Sequence, residues 1–246
     1  MFYYLLKYVL LGPLLRLTFR PKIEGLDNIP DTGGALIASN HLAVIDSFVM
    51  PAIVPRRVTF PAKREYFTEP GFKGWLKKLF FSGAGQVPID RSSGSAAQAA
   101  MATCVRLLRE GNLVGIYPEG TRSPDARLYK GKTGIARMAL EAKVPVIPVA
   151  MVGTERANPI GSKVWRPVKV GVRFGRPLDF SRYDGLSGDR FVERSITDEI
   201  MYELMELSGQ EYVDVYAAKV KEDLDAAARV DAPAVSADRL PESKAG

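Results

Sequence analysis

The chain of 246 residues has one histidine, His41, and a carboxylate follows it five positions later in Asn40-His41-Leu42-Ala43-Val44-Ile45-Asp46. An imidazole with one nitrogen held by a carboxylate can take a proton from an alcohol or a thiol through the other. The spacing sets a geometric condition. Five residues of continuous α-helix turn through about 140°, which would send the two side chains apart. They meet only if His41 sits on a strand-to-helix turn and Asp46 in the first helical turn. On spacing alone two accounts stay open: a general base, or a histidine satisfied in the core or on the surface. No Gly-x-Ser-x-Gly elbow supplies a serine nucleophile. A substrate that carries its own hydroxyl makes such a nucleophile unnecessary.

The flanking sequence meets the condition. Gly34-Ala35-Leu36-Ile37-Ala38-Ser39 reads as a buried strand, and Asp46 to Ile53 as a short helix limited by Pro51 and Pro55. Further strands are expected at 57–63, 85–91, 113–117 and 144–151, with helices at 94–110 and 133–142 between them. Residues 168–174 alternate and read as an antiparallel or edge strand. Strands alternating with helices predict an α/β fold with a largely parallel mixed sheet flanked by helices, which places chemistry at the carboxyl ends of its strands. Those ends carry Lys63, Asp90-Arg91 and Tyr117-Pro118-Glu119-Gly120-Thr121-Arg122-Ser123.

Four regions follow: 1–19, 20–182 as the α/β domain, an acidic helical extension over 183–229, and a tail over 230–246 whose composition predicts disorder. Residues 1–19 are apolar and aromatic but carry Lys7, Arg16 and a central Gly12-Pro13. A spanning helix needs about 20 apolar residues, so the expectation is a kinked helix lying in the membrane interface; the alternative is a helix docked on the core. Over 71–81, Phe72, Trp75, Leu76, Leu79 and Phe80 recur at helical spacing opposite three lysines. This predicts a core-facing helix with solvated lysines, with a second membrane contact as the alternative.

The net charge of +6 hides an asymmetry. Residues 1–182 hold 27 Lys+Arg against 13 Asp+Glu, and residues 183–246 hold 7 against 15. A basic body calls for an anionic partner such as a phosphorylated substrate or an anionic lipid surface. Nucleic acid is not expected, since no zinc-finger spacing, homeodomain helix or RNP-type aromatic motif is present. The single cysteine, Cys104, excludes a disulfide framework and falls on an apolar helical stripe.

Four stretches together resemble the lysophosphatidic acid (1-acylglycerol-3-phosphate) acyltransferase family: Asn40-His41-x4-Asp46, Val87-Pro88-Ile89-Asp90-Arg91, Tyr117-Pro118-Glu119-Gly120-Thr121-Arg122-Ser123, and Val144-Pro145-Val146-Ile147-Pro148-Val149. The resemblance covers about residues 20 to 180. It implies transfer of an acyl group from acyl-CoA or acyl carrier protein to a glycerol phosphate hydroxyl, at a membrane surface and without a metal or other cofactor. It makes His41 the expected general base and Asp46 its partner. Arg122 is then expected on the acceptor phosphate, with Lys63 and Arg91 converging on it. Glu119 is expected to accept hydrogen bonds from glycerol hydroxyls, with a structural carboxylate holding the turn as the alternative. Backbone N–H groups around Gly120 are candidate oxyanion donors, and Thr121 is expected to cap the turn. The expected product is phosphatidic acid, and the expected location the cytoplasmic face of the cell membrane. The alternatives are the same chemistry on glycerol 3-phosphate or another lysophospholipid or glycolipid, a thioesterase, and a non-catalytic lipid-binding protein.

Overall fold

The computed structural model describes residues 2–83, 85–89, 94–160, 162 and 164–230. The chain opens with α1 (Phe2–Leu5), a π-helical turn (Leu6–Leu10) and α2 (Leu11–Phe19). Then follow β1 (Lys22–Glu24), β2 (Ala35–Ser39), α3 (Asp46–Ile53), β3 (Val58–Lys63), α4 (Glu65–Thr68), α5 (Gly71–Gly83), β4 (Gln86–Ile89), α6 (Gly94–Arg109) and β5 (Leu113–Ile116). The second half holds β6 (Leu128–Tyr129), α7 (Gly134–Ala142), β7 (Val146–Val152), α8 (Thr154–Ala157), β8 (Gly171–Phe174), α9 (Arg190–Ser208), β9 (Tyr212–Val213) and α10 (Ala217–Val230).

Seven strands form one sheet in the order β1-β8-β7-β2-β5-β3-β4. Within it only β7 and β8 run antiparallel to each other, so the sheet is mostly parallel and mixed. The alternating 168–174 segment becomes β8, which is antiparallel to β7 but not an edge, because β1 covers its other side. Central strand β2 is buried at every position between β5 and β7. Its unbroken apolar run reflects burial on both faces.

Two apolar layers sandwich the sheet. One joins Ile37, Ile45, Val49 and Met50 to Phe19 and Leu15 of α2. The other joins Leu36, Val114, Cys104 and Leu108 to Ile135 and Leu140 of α7, and to Ile196, Ile200 and Leu204 of α9. The acidic segment after residue 182 thus supplies a wall of the core through α9. Its helix breaks at Gly209, where φ is 73°, before β9 and α10. The tail beyond 230 lies outside the described residues.

The N-terminal segment has two apolar faces. Leu6, Leu15 and Phe19 are buried, whereas Tyr4, Leu5, Tyr8, Val9, Leu10, Leu14 and Leu17 are exposed. The Lys7 side chain turns inward. Its ammonium donates to the carbonyls of Val54, Pro55 and Arg56 just past the end of α3, and burial lowers its pKa to about 8. The core-facing expectation for α5 is corrected. Phe72 and Trp75 are 73% and 56% exposed, Leu76 and Leu79 are exposed as well, and the Phe80 side chain lies outside the described residues. Periodicity shows that a helix has an apolar stripe, but not that a core lies beneath it. Among the described residues no helix is long and apolar enough to cross a membrane.

Candidate functional site

The register between β2 and β5 assembles the site. Ala38 lies opposite Ile116, and each strand then runs on three residues to His41 and Glu119. The two loops are stitched together there. His41 N–H donates to Glu119 Oε1 (3.2 Å), and Ser123 N–H donates to the His41 carbonyl (2.7 Å).

The geometric condition on the His–Asp pair is met: His41 lies on the turn and Asp46 is the first residue of α3. His41 Nδ1 is 3.0 Å from Asp46 Oδ2, and that oxygen also accepts the N–H groups of Leu42 and Ala43, each at 2.8 Å. Asp46 is fully buried, and among the described residues its Oδ1 has no partner. With Nδ1–H held by Asp46, Nε2 keeps its lone pair for a substrate.

Aromatic packing holds the imidazole from the side. Tyr117 stacks on His41 with ring centroids 3.8 Å apart and planes 10° apart. Phe60 of β3 stacks in turn on Tyr117 at 5.5 Å. Gly115 makes room for this, since a Cβ there would come within 2.3 Å of the Phe60 ring. The Tyr117 hydroxyl is 2.9 Å from Ser47 Oγ, and burial pushes its pKa well above the usual tyrosine value. A glycine inside a strand was the sequence signal for this close approach. Nothing in the sequence said which ring would use it.

Glu119 is corrected from substrate contact to structural carboxylate. It is 1% exposed, and its two oxygens hold the N–H groups of His41 and Tyr129 (3.0 Å), which leaves it turned away from a ligand. Burial, opposed by those two N–H groups, pushes its pKa up to about 7. The Gly120 N–H is likewise committed, closing a turn onto the Tyr117 carbonyl (2.9 Å) with φ at 74°. Among the described residues, the N–H groups of Thr121 and Arg122 meet no acceptor. Thr121 Oγ1 does not cap the turn but accepts from Lys221 Nζ at 2.8 Å.

His41, Tyr117, Gly120, Thr121 and Arg122 line one cavity of about 470 Å3, walled on its other sides by Phe60 and Phe48. The structure therefore brings Arg122 to the same cavity as His41. Lys63 ends β3 opposite Ile89, but its side chain lies outside the described residues, as does all of Arg91. The apolar fourth block is the core strand β7, and its end is tied to the site by Asn40. The fully buried Asn40 side chain accepts the Met151 N–H (2.7 Å) and donates to the Met151 carbonyl (2.9 Å).

Comparison with known proteins gives this geometry a context. The Acyltransferase family model matches residues 20–152. A 1-acyl-sn-glycerol-3-phosphate acyltransferase of Limnanthes douglasii is 34% identical over 159 residues, covering 64% of this chain and 54% of the relative. The enzyme of that description from Bacillus subtilis (strain 168) is 31% identical over 159 residues, 64% of this chain and 73% of the relative. This chain spans about half the length (54%, 50% and 47%) of the Limnanthes and Arabidopsis relatives. In fold it is similar to the crystal structure of the 1-acyl-sn-glycerophosphate (LPA) acyltransferase PlsC from Thermotoga maritima. The TM-score is 0.60 at 24% identity, over 80% of this chain and 77% of the other.

Proposed function

The chain belongs to the Acyltransferase family, and on that premise we propose that it moves a fatty acyl group from acyl-CoA or acyl carrier protein to the free hydroxyl of lysophosphatidic acid, giving phosphatidic acid. The observation that carries this reading is the His41 Nδ1–Asp46 Oδ2 contact on the wall of a cavity that Arg122 also lines. Relatives described as 1-acyl-sn-glycerol-3-phosphate acyltransferases support the choice of acceptor.

In the proposed reaction His41 Nε2 takes the proton of the acceptor hydroxyl as its oxygen attacks the thioester carbonyl. Asp46 stabilises the imidazolium without accepting the proton. The uncommitted N–H groups of Thr121 and Arg122 are the oxyanion donors of this scheme. Collapse of the tetrahedral intermediate breaks the C–S bond, and the imidazolium returns its proton to the leaving thiolate. The acyl donor is a substrate, and no step asks for a metal or other cofactor. The Arg122 guanidinium meets the acceptor phosphate, which its planar fork matches.

The exposed apolar faces of the N-terminal helices and α5, with the excess of cations over residues 1–182, support contact with the interface of an anionic membrane at its cytoplasmic leaflet. A panel of acceptors assayed with one acyl-CoA tests the function. Lysophosphatidic acid should be acylated fastest, and activity confined to uncharged alcohols would overturn the assignment.

A further inference from the structure

The C-terminal arm begins well after the Acyltransferase match ends at residue 152, yet it is fastened to the loops of the site. Asn40, beside His41, donates to Gln210 Oε1 at 2.6 Å, and Gln210 Nε2 donates to the Ala126 carbonyl at 2.6 Å. Strand β9 then pairs in parallel with β6, Leu128 opposite Tyr212 and Tyr129 opposite Val213. Tyr129 is the residue whose N–H holds Glu119. An ion pair between Lys130 and Asp214 (2.9 Å) closes this junction. Helix α10 starts from the fully buried Ala217 and carries Lys221 to the Thr121 hydroxyl at 2.8 Å.

The result is a gathering of cations. Arg122 follows Thr121 in the chain, and Lys132 Nζ lies 3.2 Å from where a Cβ on Gly120 would stand. Among the described residues, no carboxylate lies within ion-pair distance of Arg122, Lys132 or Lys221. Burial and the nearby Arg122 both lower the Lys221 pKa, while Glu119 and Asp225 act against them. Like charges drawn together beside a cavity are unfavourable until an anion joins them.

We propose that Lys221 is a phosphate-binding residue of the site, joining Arg122 at the Gly120–Thr121 rim so that recognition of an anionic substrate depends on the arm outside the family match. This deepens the acyl-transfer reading and rests on it. The shared chemistry is a phosphate ester, and it has two sources: the acceptor's phosphate and the phosphates of a coenzyme A donor.

The test uses the full chain with K221M and K221R. A charge-assisted hydrogen bond to phosphate corresponds to roughly a 10-fold effect or more in affinity. With the acceptor as source, K221M raises KM for lysophosphatidic acid about 10-fold with kcat nearly unchanged, K221R restores most of it, and rates on 1-acylglycerol, which lacks the phosphate, stay at the wild-type level. With the donor as source, the rise appears in KM for acyl-CoA and shrinks when the donor's 3′-phosphate is removed. An unchanged KM for both substrates overturns the proposal, and so does a loss that is equal on phosphorylated and neutral acceptors and equal with donors that carry or lack the 3′-phosphate, which marks a structural role. Binding of glycerol 3-phosphate or coenzyme A, followed by NMR titration, separates this inference from the transfer reaction. A Kd the same in wild type and K221M for both glycerol 3-phosphate and coenzyme A overturns it even if the enzyme is active. Binding about 10-fold weaker in K221M supports the inference even if every acyl-transfer assay is negative.

Discussion

The two walls of the cavity are built on opposite principles. On the His41–Asp46 wall, side chains are short, buried and pinned: Asp46 Oδ2 holds three donors, and both backbone polar groups of His41 are engaged. On the Arg122 side, cations stand on long stems, Lys132 exposed and Arg122 and Lys221 half-buried, and among the described residues no carboxylate lies within ion-pair distance of them. The contrast matches the physics of the two proposed tasks. Proton transfer requires heavy atoms within about 3 Å in a defined orientation, which only dense hydrogen bonding secures. Attraction to an anion falls off slowly with distance, so a cation on a flexible stem suffices provided no internal carboxylate competes.

The comparison breaks most visibly on the pinned wall. His41→Ala should lower kcat by roughly 10^4-fold with little change in KM for lysophosphatidic acid, and Asp46→Asn by about 10^3- to 10^4-fold, in steady-state assays. A loss under tenfold in both would remove the dyad from the mechanism.

Glu119 links the two walls, and its effect is on stability. Burial raises its folded pKa to about 7 from an ordinary value of 4.5. Between those values the folded state keeps a proton that the unfolded state has released, so stability falls as pH rises through that window and levels off above it. The penalty is on the order of 3 kcal/mol. Urea midpoints of wild type and Glu119→Gln at pH 5 and pH 8 should show the wild type losing ground to the variant at the higher pH. A difference independent of pH contradicts the burial argument.

On the loose wall, Arg122→Ala should raise KM for lysophosphatidic acid about 10- to 100-fold, with Arg122→Lys recovering only part, since an ammonium lacks the planar fork. Equal effects on a neutral acceptor would move Arg122 out of phosphate binding. The smallest effect belongs to the outer surface. Replacing Phe72 and Trp75 of α5 with alanine should weaken sedimentation with anionic liposomes by roughly 1 kcal/mol or more. Thermal stability should change little, because both rings are largely exposed. Unchanged liposome binding would confine the membrane contact to the N-terminal helices.

The sites that were legible in the sequence are local ones. The strand-turn-helix around His41, the loop 117–123 and the alternation of strands and helices each follow from residues close together in the chain. The contacts of Asn40, Tyr117 and Lys221 were not legible, because their partners lie far away: Asn40 bonds across 111 and 170 residues and Lys221 across 100. Glu119 was read the wrong way round for a related reason. A carboxylate at the end of a strand looks available until the register shows two N–H groups already holding it. For α5 the pattern identified the helix, and only the packing revealed an apolar stripe without a core beneath it.

The sequence by itself set the condition for His41 and Asp46 to meet, a turn between them, since five residues of continuous helix would send the side chains apart, and it predicted a buried, mostly parallel sheet to present that turn. The tertiary structure decided what surrounds it. Strand order set β5 beside β2, the pairing of Ala38 with Ile116 brought Tyr117 onto the imidazole and Glu119 onto the His41 N–H, and the β6–β9 pairing carried α10 to Thr121. Periodicity and turn chemistry are local properties of a chain. Register and the seating of a distant helix come from the global packing of two apolar layers, which no short stretch of sequence contains.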